Sequence, residues 1–279
     1  MKKQYEALLL DIDGTLLDEH GVLTAPTIEA IRRAISNGIK VFLTTGRSVP
    51  GTTFIHRQLD LTTPCICFNG LIIFNPDNDE WVKVRELPQD ALPSIKKWAH
   101  DLTTFFFVTT RDTYHTVTVQ SQEQHRIMEL VGSVQQLPTF DSLPKEGVVK
   151  VQCFCSDKQR IELCGLIEKS SWSPTVHTRF FPLETLPELS DFPLVYVDLE
   201  PMSKGKAEAL AFLEEEYDIP FEKVVAVGDQ VNDIPMVKAA GLGVCMGNGH
   251  ESLKECADLI IGGNYDNGLA TFIDGLLHG

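Results

Sequence analysis

The sequence has no apolar run approaching the roughly 18 residues a membrane-spanning helix needs. Leu8-Leu9-Leu10, behind Lys2 and Lys3, is too brief for a signal-peptide core. Positive charge is scarce: 24 Lys and Arg stand against 39 Asp and Glu, a net charge of −15. Such a chain repels a phosphate backbone over most of its surface, which argues against nucleic acid as a general partner. No C-x-x-C pair occurs among the 7 cysteines, so zinc and thioredoxin-type chemistry have no local signature. Cys65/Cys67 and Cys153/Cys155 are spaced by two within apolar stretches and read as reduced, buried thiols. Low-complexity linkers and internal repeats are lacking too. The expectation is a globular protein of the cytoplasm, without membrane or nucleic-acid partners.

What is present is core-forming material. Of 279 residues 43% are hydrophobic, enough for about two domains at roughly 150 residues each. Tyr5 to Ile12 is an apolar run ending in Asp-Ile-Asp-Gly-Thr; Ile28, Ile31, Ala34 and Ile35 follow at helical spacing, with Asn37-Gly38 as a stop. Ile39 to Thr45 is a second continuous apolar strand. This β-α-β order predicts a parallel sheet covered on both faces. The pattern returns late in the chain, with strands at Lys223 to Val227, Leu242 to Met246 and Leu259 to Ile261, and helices at Ile234 to Ala240 and Leu269 to Leu277. Between these halves, Phe105 to Val108, Tyr114 to Val119, Val148 to Phe154 and Val176 to Phe181 read as strands, with helices at Glu123 to Val131 and Lys158 to Glu168. The predicted fold is α/β, a Rossmann-like parallel-sheet core of residues 1–83 and 193–279 interrupted by an α+β insert of residues 84–192.

Two acidic clusters stand at predicted strand ends. Asp11 and Asp13 are two residues apart, so in an extended chain both carboxylates project the same way, into the crevice where open α/β sheets bind ligands. Gly14 permits a sharp turn straight after them. A bare D-x-D is also what an Asp-rich helix cap looks like; the apolar strand before it and the trailing Gly-Thr favour chemistry. Asp229, in Gly228-Asp229-Gln230-Val231-Asn232-Asp233, ends another apolar strand and would share the sheet edge with Asp11 and Asp13. Carboxylates converging there repel one another, and a hard divalent cation such as Mg²⁺ relieves that. Asp233 is either part of this shell or a first-turn acid answering a helix dipole.

An anionic substrate needs donors as well. Thr44-Thr45-Gly46-Arg47 ends the second strand with hydroxyls and a helix N-terminus suited to a phosphate. Lys204, in Met202-Ser203-Lys204-Gly205-Lys206, opens a helix, where a cation opposes the dipole and therefore hints at function; a solvated surface lysine is the alternative. Lys206 is the weaker candidate of the two and stays outside the expected site.

In this order and at strand ends, Asp-x-Asp-Gly-Thr, a strand-terminal Thr, a Lys and Gly-Asp-x-x-Asn-Asp resemble the four motifs of the haloacid dehalogenase superfamily. Thr45-Gly46-Arg47, Asn69-Gly70 and Met246-Gly247-Asn248 further resemble its Cof-type sugar-phosphatase branch, although Gly249 stands where a small residue such as Ala is usual. The resemblance spans the chain and implies a type IIB cap and Mg²⁺-dependent hydrolysis of a small phosphate monoester through an aspartyl-phosphate. It implies Asp11 as nucleophile, Asp13 as acid and base, and Thr45 and Lys204 as grips on the phosphoryl group. Gly46, Arg47, Asn69 and Asn232 would lie against substrate. Asp11, the backbone carbonyl of Asp13 and Asp229 would bind the metal, with Asp233 and Asn232 supporting them. Arg111, His115, His125, Arg126 and Arg179 in the insert are candidates for substrate contacts or for plain surface and structural roles. A phosphomutase would need the same acids. A phospho-acceptor signalling domain would be shorter and would carry adjacent acids, and a non-catalytic binding protein would not need every reactive group retained.

Overall fold

A computed structural model describes residues 5–103, 105–117, 119, 121–131, 134–185 and 189–278. The chain divides into two compact units, Met1–Lys83 with Ser203–Gly279, and Val84–Met202. In chain order the first unit begins with β1 (Ala7–Leu10), α1 (Ala25–Ser36), β2 (Lys40–Leu43), α2 (Val49–Gln58), β3 (Cys65–Cys67), β4 (Ile72–Asn75) and β5 (Glu80–Val84). The second unit contributes α3 (Leu92–Leu102), β6 (Phe105–Thr110), β7 (Tyr114–Val117), α4 (Gln122–Val131), β8 (Val134–Leu137), β9 (Val148–Cys155), α5 (Asp157–Glu168), β10 (Val176–Pro182) and β11 (Val195–Pro201). The first unit resumes with α6 (Glu208–Tyr217), β12 (Val224–Gly228), α7 (Ile234–Ala239), β13 (Leu242–Cys245), α8 (Glu251–Lys254), β14 (Leu259–Ile260) and α9 (Gly268–His278).

The first unit is the expected parallel sheet, in the order β14-β13-β12-β1-β2. Strand alternation explains why β1 is apolar at every position. Leu8 and Leu10 face one layer, packing with Ala30, Ile31 and Ala34 of α1 and Ile273 of α9. Ala7 and Leu9 face the other, with Leu210 and Leu213 of α6 and Met236 of α7. α1 starts with Pro26 in its first turn and stops at Asn37, with Gly38 following at φ 84°. A separate three-stranded sheet, β3-β4-β5, follows α2. All seven cysteines are free, and burial pushes the Cys67 thiol up to about 12, against a hydrogen bond from Thr52. The Cys67 thiol therefore stays protonated at neutral pH and acts as a packing group.

The second unit holds a six-stranded sheet in the order β10-β11-β9-β6-β7-β8, antiparallel except where β7 pairs with β8. The unit extends past Phe192 to Met202 because β11 pairs with β9 on one side and β10 on the other. On one face, Phe106, Val108, Val151 and Cys153 pack with Leu92 and Ile95 of α3 and Leu163 and Ile167 of α5. The alternate residues Phe105, Phe107 and Phe154 pack with Ile127 of α4 and with Leu183, Leu189 and Phe192.

That second face turns polar along β9 and β11. Lys150 Nζ donates to Asp198 Oδ2 at 3.1 Å, Thr109 Oγ1 to Gln152 Oε1 at 2.7 Å, and Gln152 Nε2 to Tyr196 Oη at 2.8 Å. Arg179 Nη2 lies 2.9 Å from Glu200 Oε1. Burial alone would lower the Lys150 ammonium, but Asp198 together with Tyr196, Tyr114 and Glu200 outweighs it and holds Lys150 above its ordinary value. Burial first, then Asp198, raises the Glu200 carboxyl to about 7, against the pull of Arg179. Removing one partner of such a buried pair strands the other charge. Lys150→Met should therefore lower the unfolding free energy by about 3–5 kcal/mol in urea melts, and Lys150→Met with Asp198→Leu should cost clearly less than the single change. A single-variant cost under about 1 kcal/mol would place the pair with weak surface bridges.

Candidate active site

β1 and β12 are adjacent, and the strand order reverses between them, which opens a crevice beyond their carboxyl ends. Asp11 follows β1 directly; its N–H donates to the Val227 carbonyl at 3.0 Å and the residue is 4% exposed. The chain then turns at Gly14, φ 79°, where a Cβ would stand 2.3 Å from Asp229 Oδ2, so only glycine fits. Asp229 follows β12 and accepts from Thr15 Oγ1 and Gln230 Nε2, each at 3.0 Å. Asn248 Nδ2 donates to the Gly14 carbonyl at 2.8 Å and so ties the loop after β13 to the same turn.

Asp233 uses its two oxygens on different partners. Through Oδ2 it accepts from the backbone N–H groups of Asp229 at 2.9 Å and Gln230 at 2.8 Å, fixing the turn into α7. Its Oδ1 accepts from Lys206 Nζ at 2.5 Å, and the same ammonium donates to Asp11 Oδ1 at 2.5 Å.

The lysine expected at the site was Lys204, with Lys206 outside it; the geometry is the reverse. Lys206 is buried between the two acids, whereas the Lys204 side chain is exposed and its backbone N–H donates to Glu208 Oε1. Helical phase explains the exchange. Gly205, at φ 63°, breaks the helical path between the two lysines, so only Lys206 leads into α6, three and four residues before the buried Ala209 and Leu210. That periodicity was the available signal, and the adjacent Lys-Gly pair obscured it.

The remaining expected residues divide into two groups. Thr45 is buried at the end of β2, and its Oγ1 accepts from the Arg47 N–H at 3.0 Å. The Asn69 N–H donates to the Thr45 carbonyl at 2.8 Å, Asn69 Oδ1 accepts from Asn232 Nδ2 at 3.0 Å, and a Cβ on Gly46 would touch Asn69 Oδ1 at 3.4 Å. Thr45, Gly46, Asn69 and Asn232 are thus brought together. The turn that carries Asn69 holds Phe68, Asn69 and Gly70 at φ 47°, 52° and 93°, a left-handed run of the kind that persists where surrounding structure imposes it. Asp13 is different: its carboxylate points outward, with the side chain 59% exposed, and is gripped by both arms of Arg47, Nη2 to Oδ1 at 2.5 Å and Nε to Oδ2 at 2.8 Å.

Four of the insert candidates make contacts within the second unit. Arg126 pairs with Asp191 and lies over Phe192, Arg179 pairs with Glu200, His125 Nδ1 contacts the Ser121 carbonyl, and His115 Nε2 contacts Thr110 Oγ1. Arg111 also has a partner.

The electrostatics follow from burial. Asp11, Asp229 and Asp233 offer carboxylate oxygens within 4.8 Å of one another. Burial drives the Asp11 carboxyl well above the usual carboxylate range; Lys206 opposes this, and Asp233 and Asp229 add to it. Burial and then Asp233 raise Asp229 as well. One ammonium cannot neutralise three buried carboxylates. An all-oxygen donor set with an excess of negative charge fits a hard divalent cation.

The sequence profile of the haloacid dehalogenase-like hydrolases matches residues 8–273. The chain belongs to that family, and within it is an enzyme of the Cof-type phosphatase branch. It is 25% identical over 281 residues to the 5-amino-6-(5-phospho-D-ribitylamino)uracil phosphatase YitU of Bacillus subtilis, covering 95% of each chain. It is 28% identical over 273 residues to the pyridoxal phosphate phosphatase YbhA of Escherichia coli, covering 95% of this chain and 96% of the relative. A haloacid dehalogenase-like hydrolase from Bacteroides thetaiotaomicron has the same fold, with a TM-score of 0.80 at 24% identity over 98% of this chain and 100% of its own. The parallel-sheet core with an inserted cap is thus the fold of known members.

The two lysines separate on stability alone. In metal-free buffer Lys206→Met should cost about 3–5 kcal/mol, because it strands Asp11 and Asp233. Lys204→Met should stay within about 0.5 kcal/mol. Equal effects in chemical denaturation would remove Lys206 from the centre of the site.

Proposed function

We propose that this phosphatase hydrolyses small phosphate monoesters, sugar phosphates among them, with Mg²⁺ and through an aspartyl-phosphate on Asp11. The observation that carries the reading is the Lys206 ammonium held on Asp11 beside Asp229 and Asp233. Asp11 is the first acid past a buried strand, and Lys206 opposes the burial that drives its carboxyl toward protonation. Asp11, Asp229 and the backbone carbonyl of Asp13 would hold Mg²⁺, with Asp233 alongside. When bound, the cation offsets the repulsion between a carboxylate nucleophile and a phosphate dianion.

The chain's own residues supply the rest. A carboxylate oxygen of Asp11 bonds to phosphorus as the ester P–O bond breaks, and Asp13 gives its proton to the leaving oxygen. Asp13 then takes a proton from the water that attacks the aspartyl-phosphate, and inorganic phosphate leaves with Asp11 restored. Thr45 Oγ1 already accepts from the Arg47 backbone, which frees its O–H to donate to the phosphoryl group. Lys206 takes the phosphoryl-binding role expected of Lys204, while Gly46, Asn69 and Asn232 line the same side. A mutase would return the phosphoryl to a second hydroxyl with the same acids; the phosphatase names of both relatives favour water. Those names concern small phosphorylated metabolites, which supports the substrate class. The second unit, as cap, would contribute specificity and water exclusion rather than a nucleophile. A cytoplasmic setting accords with the acidic, all-reduced chain; no helix among the described residues is long and apolar enough to cross a membrane.

Phosphate release assayed with and without Mg²⁺ tests the chemistry. Asp11→Asn should abolish Mg²⁺-dependent turnover without unfolding. Asp13→Asn should lose about 10²–10⁴-fold on an alkyl phosphate and markedly less on a nitrophenyl phosphate, whose leaving group needs no proton. Activity within a few-fold of wild type in folded Asp11→Asn, or equal Asp13→Asn losses on both esters, contradicts the assignment.

A further inference from the structure

We propose that Arg47 is a positioning residue that parks Asp13 outside the reacting centre and releases it when a phosphate dianion takes over the guanidinium. The inference rests on the phosphatase reading and deepens it. Arg47 stands two residues past Thr45, whose Oγ1 accepts the Arg47 N–H, so the arginine is anchored at the proposed phosphoryl pocket. Its side chain is 34% exposed, and its charge is felt at Asp11 as well as at Asp13. Both Asp13 oxygens are occupied by the fork of that one guanidinium, and Asp13 is not among the three acids that converge within 4.8 Å.

A guanidinium presents a planar fork that matches a carboxylate or a phosphate equally well, but the same two N–H groups cannot serve both. The dianion carries twice the charge of the carboxylate, so a substrate phosphate at Thr45 competes for Arg47 with advantage. Once displaced, Asp13 has lost the guanidinium that holds both of its oxygens and is free to turn toward the leaving oxygen. Asp13 backbone φ/ψ of −80° and 121°, in the extended region beside Gly14, leaves its side chain projecting from a turn rather than packed in a helix. The carboxylate is thereby released only when the phosphoryl site is filled, takes up a proton from solvent before it meets the leaving oxygen, and stays parked beside a ligand without a dianionic group.

A double-mutant cycle on binding of inorganic phosphate, measured by calorimetry at constant Mg²⁺, tests this without turnover. Competition within one exposed, bidentate pair predicts that Asp13→Asn tightens phosphate binding about two- to fivefold more when Arg47 is present than in an Arg47→Gln background. The same factor in both backgrounds means that removing a negative charge accounts for everything and overturns the latch, while Asp11→Asn inactivation would still uphold the phosphatase reading. Weaker phosphate binding in Asp13→Asn also overturns it. Failure of the wild-type protein to bind phosphate at all would overturn the latch and the phosphatase reading together.

Discussion

A single buried ammonium sits between two buried carboxylates, with a third alongside, and the architecture of the first unit follows from that arrangement. Taking these charges out of water is costly, and only close opposite charge and well-aimed donors offset the penalty. The fold provides them from distant stretches of chain: Asp11 from the end of β1, Asp229 and Asp233 from the end of β12, Lys206 from the turn before α6. The parallel sheet is what makes this possible. It aligns the carboxyl ends of β1, β2 and β12 at one edge while apolar layers on both faces fix their register.

The excess of negative charge at this edge ties stability to function. A pocket in which burial raises Asp11 and Asp229 toward protonation is poised for a cation that restores their ionised form. The same charge would repel a phosphate ester, so donors of the opposite polarity are gathered on the neighbouring strand end, at Thr45, Gly46, Arg47 and Asn69. Asn232 bridges the two halves of the site through Asn69. The second unit repeats the theme in a simpler form, where Lys150 and Asp198 hold a polar strip within an otherwise aromatic sheet face.

The strand ends and the acids that follow them were legible because a fully buried parallel strand reads as an unbroken apolar run, and a carboxylate straight after it has few structural reasons to be there. The insert was legible through its change of periodicity. Lys206 was not, because the Lys204-Gly205 pair carries the stronger local motif and only the spacing of Lys206 to Ala209 and Leu210 tells the two apart. The short β3, β4 and β5 carry too few residues to stand out, and what assigns β11 beyond Phe192 to the insert is its pairing with the non-local partners β9 and β10. That Asp13 would be found in the fork of Arg47, away from Asp11, depends on a contact across 34 residues that no motif records. Position alone leaves Asp233 open between a helix acid and a site acid; its two oxygens fix the turn before α7 and hold the Lys206 ammonium.

Asp11, Asp229 and Asp233 form an under-neutralised oxygen site, which we propose a divalent cation completes. Thermal unfolding followed across a MgCl₂ titration at fixed ionic strength tests it most directly, because a ligand that binds only the folded state raises the midpoint in a saturable way. The account predicts saturable stabilisation of the wild-type protein that is lost in Asp229→Asn. An unchanged midpoint in the wild-type protein, or the same saturable rise in Asp229→Asn, would contradict it.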